Sequence, residues 1–196
     1  CAAPPRAGRG LRDHRHLMTL EPSRIILARQ RAGLPKTALA RAAGVAPRTV
    51  TTWESRGAPS SRLSDIAGAT GMPAEFFSGG AIDLLEEDRI FFRARRRSPS
   101  ALLHRSAAFG SLGIGFYDSI RRRFRTPALS MPEAEPGDSP RQAARALRLA
   151  WRMGMGPAPN LVQLAEAHGI RVLGIPLADA AVDAFSFWAP DGRPFV

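Results

Sequence analysis

Across residues 22–79 no helical pattern runs much past about ten residues before a glycine cuts it, at Gly33, Gly44, Gly57 and Gly71. Glycine reaches the left-handed backbone that ends a helix and opens a tight turn, so the segment is confined to a compact bundle of four or five short helices. The whole chain has 196 residues, room for one large or two small domains, and its 44% hydrophobic and 23% charged residues suit a folded core. No apolar run reaches the roughly 18 to 20 residues of a membrane helix. The nearest candidate, residues 106–117, is short, glycine-broken and followed by Arg121, Arg122 and Arg123. A single cysteine, Cys1, forms no internal disulfide, and no Cys/His cluster has zinc-ligand spacing, which fits a reducing cytoplasm.

Net charge is +11, from 28 basic and 17 acidic side chains, and a balance that positive points to a polyanionic partner such as nucleic acid. Its distribution is uneven: +3 over residues 1–17, +4 over 18–78, +5 over 79–130 and −1 over 131–196. The last third has no electrostatic reason to touch a duplex. Residues 1–17 are rich in Pro, Gly and Arg, lack the apolar stretch of a signal peptide and read as a disordered extension, with Met18 a natural start. Residues 18–79 form the first domain.

Residues 80–138 read as a linker and long helix. Residues 80–97 have mixed charge, with Ile90, Phe91 and Phe92 as the part able to dock. Leu102, Phe109, Leu112, Phe116, Ile120 and Phe124 form a stripe at near-helical spacing, implying one helix over 99–124 that Gly110, Gly113 and Gly115 weaken. Residues 126–140 are a connector; 141–151 and 160–168 read as helices, 170–175 and 182–188 as strands. The turn residues Ala189-Pro190-Asp191-Gly192 predict a hairpin over 182–196.

The most informative stretch is residues 34–54, LPKTALARAAGVAPRTVTTWE: a helix, a turn centred on Gly44 and a second helix, which is helix-turn-helix spacing. Ala40 is small where the helices must cross, and Leu39, Val45, Val50 and Trp53 supply apolar contacts. With Ile25 through Phe77, including Leu63, Ile66 and Ala67, these residues resemble the lambda-repressor-like (XRE-type) helix-turn-helix family; Pro47-Arg48-Thr49-Val50 and Trp53-Glu54 are the closest part of the match. The resemblance implies a sequence-specific DNA-binding transcriptional regulator in a bacterial cytoplasm, with double-stranded DNA as partner and a homodimer if two half-sites are read. It places helix 46–55 in the major groove, with Arg48, Thr51 and Thr52 at base edges and Lys36, Arg56 and Arg62 on phosphates. It also implies an ion pair between Arg29 and Glu54. Three positions depart from the pattern: Pro35 and Ala46 stand where relatives have Ser or Thr caps, and Ala38 replaces the capping-box acid.

From Ser139 onward, Leu147, Trp151, the run 156–162, Glu166, 169–172 and 182–186 resemble the approach to the catalytic core of the ImmA/IrrE-type zinc metallopeptidases. That family holds zinc with an H-E-x-x-H helix. None of His14, His16, His104 and His168 is followed by glutamate or has a partner four residues on. Glu166, Asp183 and Asp191 read as surface or turn residues, so no catalytic residue, metal ligand or cofactor is expected. The fold class that follows is mainly α: a five-helix lambda-repressor-like domain, a helical linker and, over 139–196, an incomplete α+β peptidase-like region. A sheet cut short there leaves strand 182–188 with an unpaired apolar edge. The alternative function is the front end of a zinc metallopeptidase that cleaves a repressor partner.

Overall fold

The computed structural model describes residues 19–94, 99–133, 137–154, 156–175 and 182–196; the expectations of disorder over 1–17 and of a start at Met18 fall outside them. Helices dominate, with a small antiparallel sheet. Strand β1 (Thr19–Leu20) precedes helices α1 (Pro22–Arg31), α2 (Lys36–Ala42) and α3 (Pro47–Arg56). Strand β2 (Ala58–Pro59), a 3₁₀ turn at Ser60–Arg62, helix α4 (Leu63–Thr70) and a 3₁₀ turn at Ala74–Ser78 complete the first unit. The predicted five helices are four α-helices and 3₁₀ turns, joined by an unforeseen two-stranded sheet in which Leu20 pairs with Ala58.

Gly44, at φ +64°, turns the chain from α2 into α3. Gly57, at φ +89°, ends α3 where a Cβ would lie 2.7 Å from the Leu20 carbonyl oxygen, so β1 can pair there only because the position is glycine. The core between the four helices holds Ile25, Ala28, Leu39, Ala40, Val50, Trp53, Ile66 and Phe77. Pro35 and Ala46 occupy the N-cap positions of α2 and α3 without a side-chain cap. Ala46 already has extended N-cap backbone, φ −74° and ψ 149°. Ala46→Ser is therefore expected to raise stability by roughly 1 kcal/mol in denaturant unfolding, and no gain would show that the first-turn N–H groups are already well solvated.

After a 3₁₀ turn at Glu87–Arg89 come strand β3 (Ile90–Ala94), helices α5 (Ser100–Arg121), α6 (Pro140–Ala150) and α7 (Leu161–Ala167), and strands β4 (Val182–Trp188) and β5 (Pro194–Phe195). Residues 90–94, read as linker, are thus a strand. They pair antiparallel with β4, Ile90 opposite Phe187 and Phe92 opposite Phe185. The hairpin β4–β5 forms with Phe187 opposite Phe195. The order β3-β4-β5 places β4 between two partners, but β5 pairs only with Phe187 and Trp188, so the unpaired edge expected for 182–188 is confined, among the described residues, to 182–186 on the side away from β3. The strand expected over 170–175 is only a parallel bridge of Arg171 with Phe195, because β5 is two residues long and offers no longer edge.

Helix α5 runs unbroken to Arg121, and its inner face is not the expected row of phenylalanines: Phe116 is 58% exposed, and Phe124, beyond the helix end, 66%. Leu102, Ser106, Ala107, Gly110, Ser111 and Gly113 are buried instead. A Cβ on Gly110 would lie 2.6 Å from Leu85 Cδ2 and 3.1 Å from Phe187 Cε1, so the glycines that weaken the helix are what let the sheet approach it. This second core draws on Leu85, Ile90, Leu102, Phe185, Phe187 and Phe195. Helix α1 also packs against α5. No helix among the described residues is long and apolar enough to cross a membrane.

Arg171 is buried against this core. Its guanidinium lies over the Tyr117 and Phe195 rings, 5.3 and 5.0 Å from their centroids, and Nη2 donates to Asp191 Oδ2 at 2.6 Å. Arg121 Nη1 donates to the same oxygen at 2.5 Å. Asp191 is thus more than a turn residue: it ties α5 to the β4–β5 turn. Burial pushes its carboxyl up, but the Arg171 hydrogen bond and the Arg171 and Arg121 charges outweigh this and hold it below 3.8. A carboxylate lowered on folding stabilises above its unfolded pKa and loses that contribution as pH falls through the folded value. Asp191→Asn is accordingly expected to flatten the stability loss below about pH 3.8, and an unchanged acid limb would assign that loss to other carboxylates.

Candidate nucleic-acid interface

Helix α3 has two unlike sides. Val50 and Trp53 are buried in the first core, while Arg48, Thr51, Thr52, Ser55 and Arg56 are exposed. Pro47, at the first helical position, suits the start of α3 because its fixed φ is helical and its missing N–H would go unbonded there. The buried side is positioned by one carboxylate. Glu54 Oε1 accepts from Arg29 Nε of α1 at 2.5 Å, and Oε2 lies 3.0 Å from Lys36 Nζ at the first residue of α2. Arg29 Nη1 also donates to the Leu34 carbonyl at 2.9 Å. Three helices and the loop between two of them therefore converge on Glu54, which fixes how far α3 can rotate or slide. Arg29 and Glu54 are nearly enclosed, with side chains 11% and 7% exposed.

On the outward side, Thr52 Oγ1 donates to the Arg48 carbonyl at 3.1 Å, and Thr51 Oγ1 faces the Pro47 carbonyl at 3.5 Å. With its proton directed back to the helix, each hydroxyl offers a lone pair beside a methyl group. Such a surface accepts from a base amino group and packs on a thymine methyl. The Arg48 guanidinium has no partner among the described residues, so its donors are free for a bidentate acceptor.

The three side chains expected on phosphates differ. Arg56, in the last turn of α3, is exposed and without a carboxylate partner among the described residues. Lys36 is half exposed but already paired with Glu54. Arg62 Nη1 sits 3.1 Å from Asp65 Oδ2, an exposed pair one helical turn apart. Arg41, exposed in the last turn of α2 beside the Gly44 turn, is a further cation without a partner among the described residues that sequence reasoning passed over. Its signal was its place inside the 34–54 motif with no apolar or capping role to occupy it.

The chemistry-bearing residues of the second unit do not converge. His168 caps the end of α7 with its ring stacked on Trp151 at 4.3 Å, and His104 pairs with Glu87 at 2.7 Å. Glu166 and Asp183 are exposed. Among the described residues no three His, Cys, Asp or Glu side chains gather as metal ligands. Comparison with family models, characterised proteins and solved structures finds no match to this chain.

Proposed function

We propose that this chain is a sequence-specific DNA-binding transcriptional regulator of a bacterial cytoplasm that reads the major groove with α3. The observation that supports it best is the uncovered face of that helix. Arg48, Thr51 and Thr52 stand in solvent while Glu54, Arg29 and Lys36 pin the helix from behind. Residues 18–79 are then the DNA-binding domain, and the region from 80 onward a docking and dimerisation element without a catalytic role. Arg48 donates to guanine O6 and N7, the threonines meet amino and methyl groups of neighbouring bases, and Arg56 and Arg41 sit on phosphates.

Lys36 and Arg62 are neutralised by their own carboxylates and add little to counterion release. Two phosphate contacts per protomer correspond to a slope of about −1.8 in log K against log salt, from roughly −0.9 per contact on B-DNA. Duplexes selected from a random pool with the purified chain, titrated at several salt concentrations by mobility shift, check this. A slope near zero, or a pool that never enriches, overturns the proposal.

A further inference from the structure

Strand β3 has one side bonded to β4 and, among the described residues, nothing hydrogen-bonded to its other side. An open edge of this kind is a template for another strand. Its sequence, Ile90-Phe91-Phe92-Arg93-Ala94, lacks the lysine or proline that blunts most edges, and Phe91 stands 66% exposed on the sheet face away from α5. From these observations we infer that β3 is a homodimer interface, pairing antiparallel with β3 of a second copy.

Charge selects this partner and its register. Parallel in-register pairing would set Arg93 beside the second copy's Arg93 and Arg89 beside its Arg89, whereas antiparallel pairing can keep these like charges apart. In a continuous sheet, residues opposite each other must share a face, so the two-fold axis passes through Phe91 or through Phe92. An axis at Phe91 sets Arg93 opposite the second copy's Arg89, a like-charge pair that opposes association. An axis at Phe92 matches the strand end to end and sets Phe91 opposite the second copy's Arg93, twice, on the open face. An arginine over an exposed ring is an attractive cross-strand pair. The register to β4 shifts only between Arg93 and Ala94, so the residues forming these pairs lie on the regular part of the edge.

The inference goes beyond the DNA-reading proposal and does not depend on it, because its readout is mass in solution. Light scattering on the eluting full chain without DNA is expected to show a dimer at tens of micromolar. Phe91→Arg sets arginine opposite Arg93 at both symmetric positions and is expected to weaken dimerisation at least about tenfold. Adding Arg93→Glu restores an unlike pair and is expected to recover most of that loss, which a general loss of edge hydrophobicity would not. Circular dichroism confirms that the helices persist; where Phe91→Arg loses them, Phe91→Ser, which removes only the exposed ring, supplies the comparison. A monomeric wild-type chain, or a dimer unmoved by Phe91→Arg or by its substitute, overturns the inference and places any dimer contact elsewhere. Failure of DNA binding with the dimer intact would instead count against the reading of α3.

Discussion

Glu54→Ala is expected to lower the midpoint of thermal unfolding by about 6 to 12 °C, whereas Asp65→Ala is expected to leave it nearly unchanged. Both substitutions delete a carboxylate that pairs with an arginine, and the difference lies in burial. Arg62 and Asp65 are 42% and 41% exposed, so water replaces the lost partner and the pair is worth about 0 to 1 kcal/mol. Arg29 is 11% exposed, and loss of Glu54 leaves its guanidinium enclosed with only the Leu34 carbonyl as acceptor. Removing one member of a buried pair costs about 3 to 5 kcal/mol. The lower figure fits here because Lys36, 43% exposed, rehydrates when released. Against a typical 5 to 15 kcal/mol of total stability, a loss of about 3 kcal/mol is large, and at roughly 2 to 4 °C per kcal/mol for a chain of this size it amounts to about 6 to 12 °C. A midpoint within about 2 °C of wild type would show that the three-helix junction is far wetter than its geometry indicates.

That junction also shows how much of the molecule was legible in the sequence. The pairing of Arg29 with Glu54 came from resemblance, and the helices around it came from local signals: apolar spacing within each helix and a glycine at each turn. What stayed hidden was Lys36 on the same carboxylate. Its place beside Glu54 depends on how α2 crosses α3, a tertiary relation that no local spacing in the sequence carries. The pairing of Arg62 was not hidden but passed over: Asp65 three residues later is within reach on the same turn, a spacing that can be read directly.

The second unit was less legible because its contacts are distant in sequence. Strand β3 finds its partner about ninety residues on, and a three-residue apolar run, Ile90-Phe91-Phe92, between charged residues carries no signal for that pairing. The same distance explains α5. Spacing alone favours the phenylalanines as the inner face, yet the helix packs through Ser106, Gly110 and Gly113 because the sheet lies too close for larger side chains. Helices α6 and α7, each capped by a residue visible in the sequence, Ser139 and Asn160, lie where spacing placed them.

Arg48→Ala is expected to reduce affinity for the best selected duplex by about 5- to 150-fold per half-site, the equivalent of roughly 1 to 3 kcal/mol for one bidentate contact to guanine. Stability should hold, since an exposed side chain without a partner contributes within about ±0.5 kcal/mol, so the loss reports on binding and not on unfolding. Two comparisons separate base reading from plain electrostatics. Arg48→Lys keeps the charge but not the planar fork, and should recover binding to all duplexes alike without recovering the guanine preference. Arg56→Ala should weaken every duplex to a similar degree and reduce the salt slope by about 0.9 per protomer. Equal affinity of wild type and Arg48→Ala for sites with and without that guanine would mean that the outward face of α3 holds a duplex by charge alone. The major-groove role would then fall even if binding itself persisted.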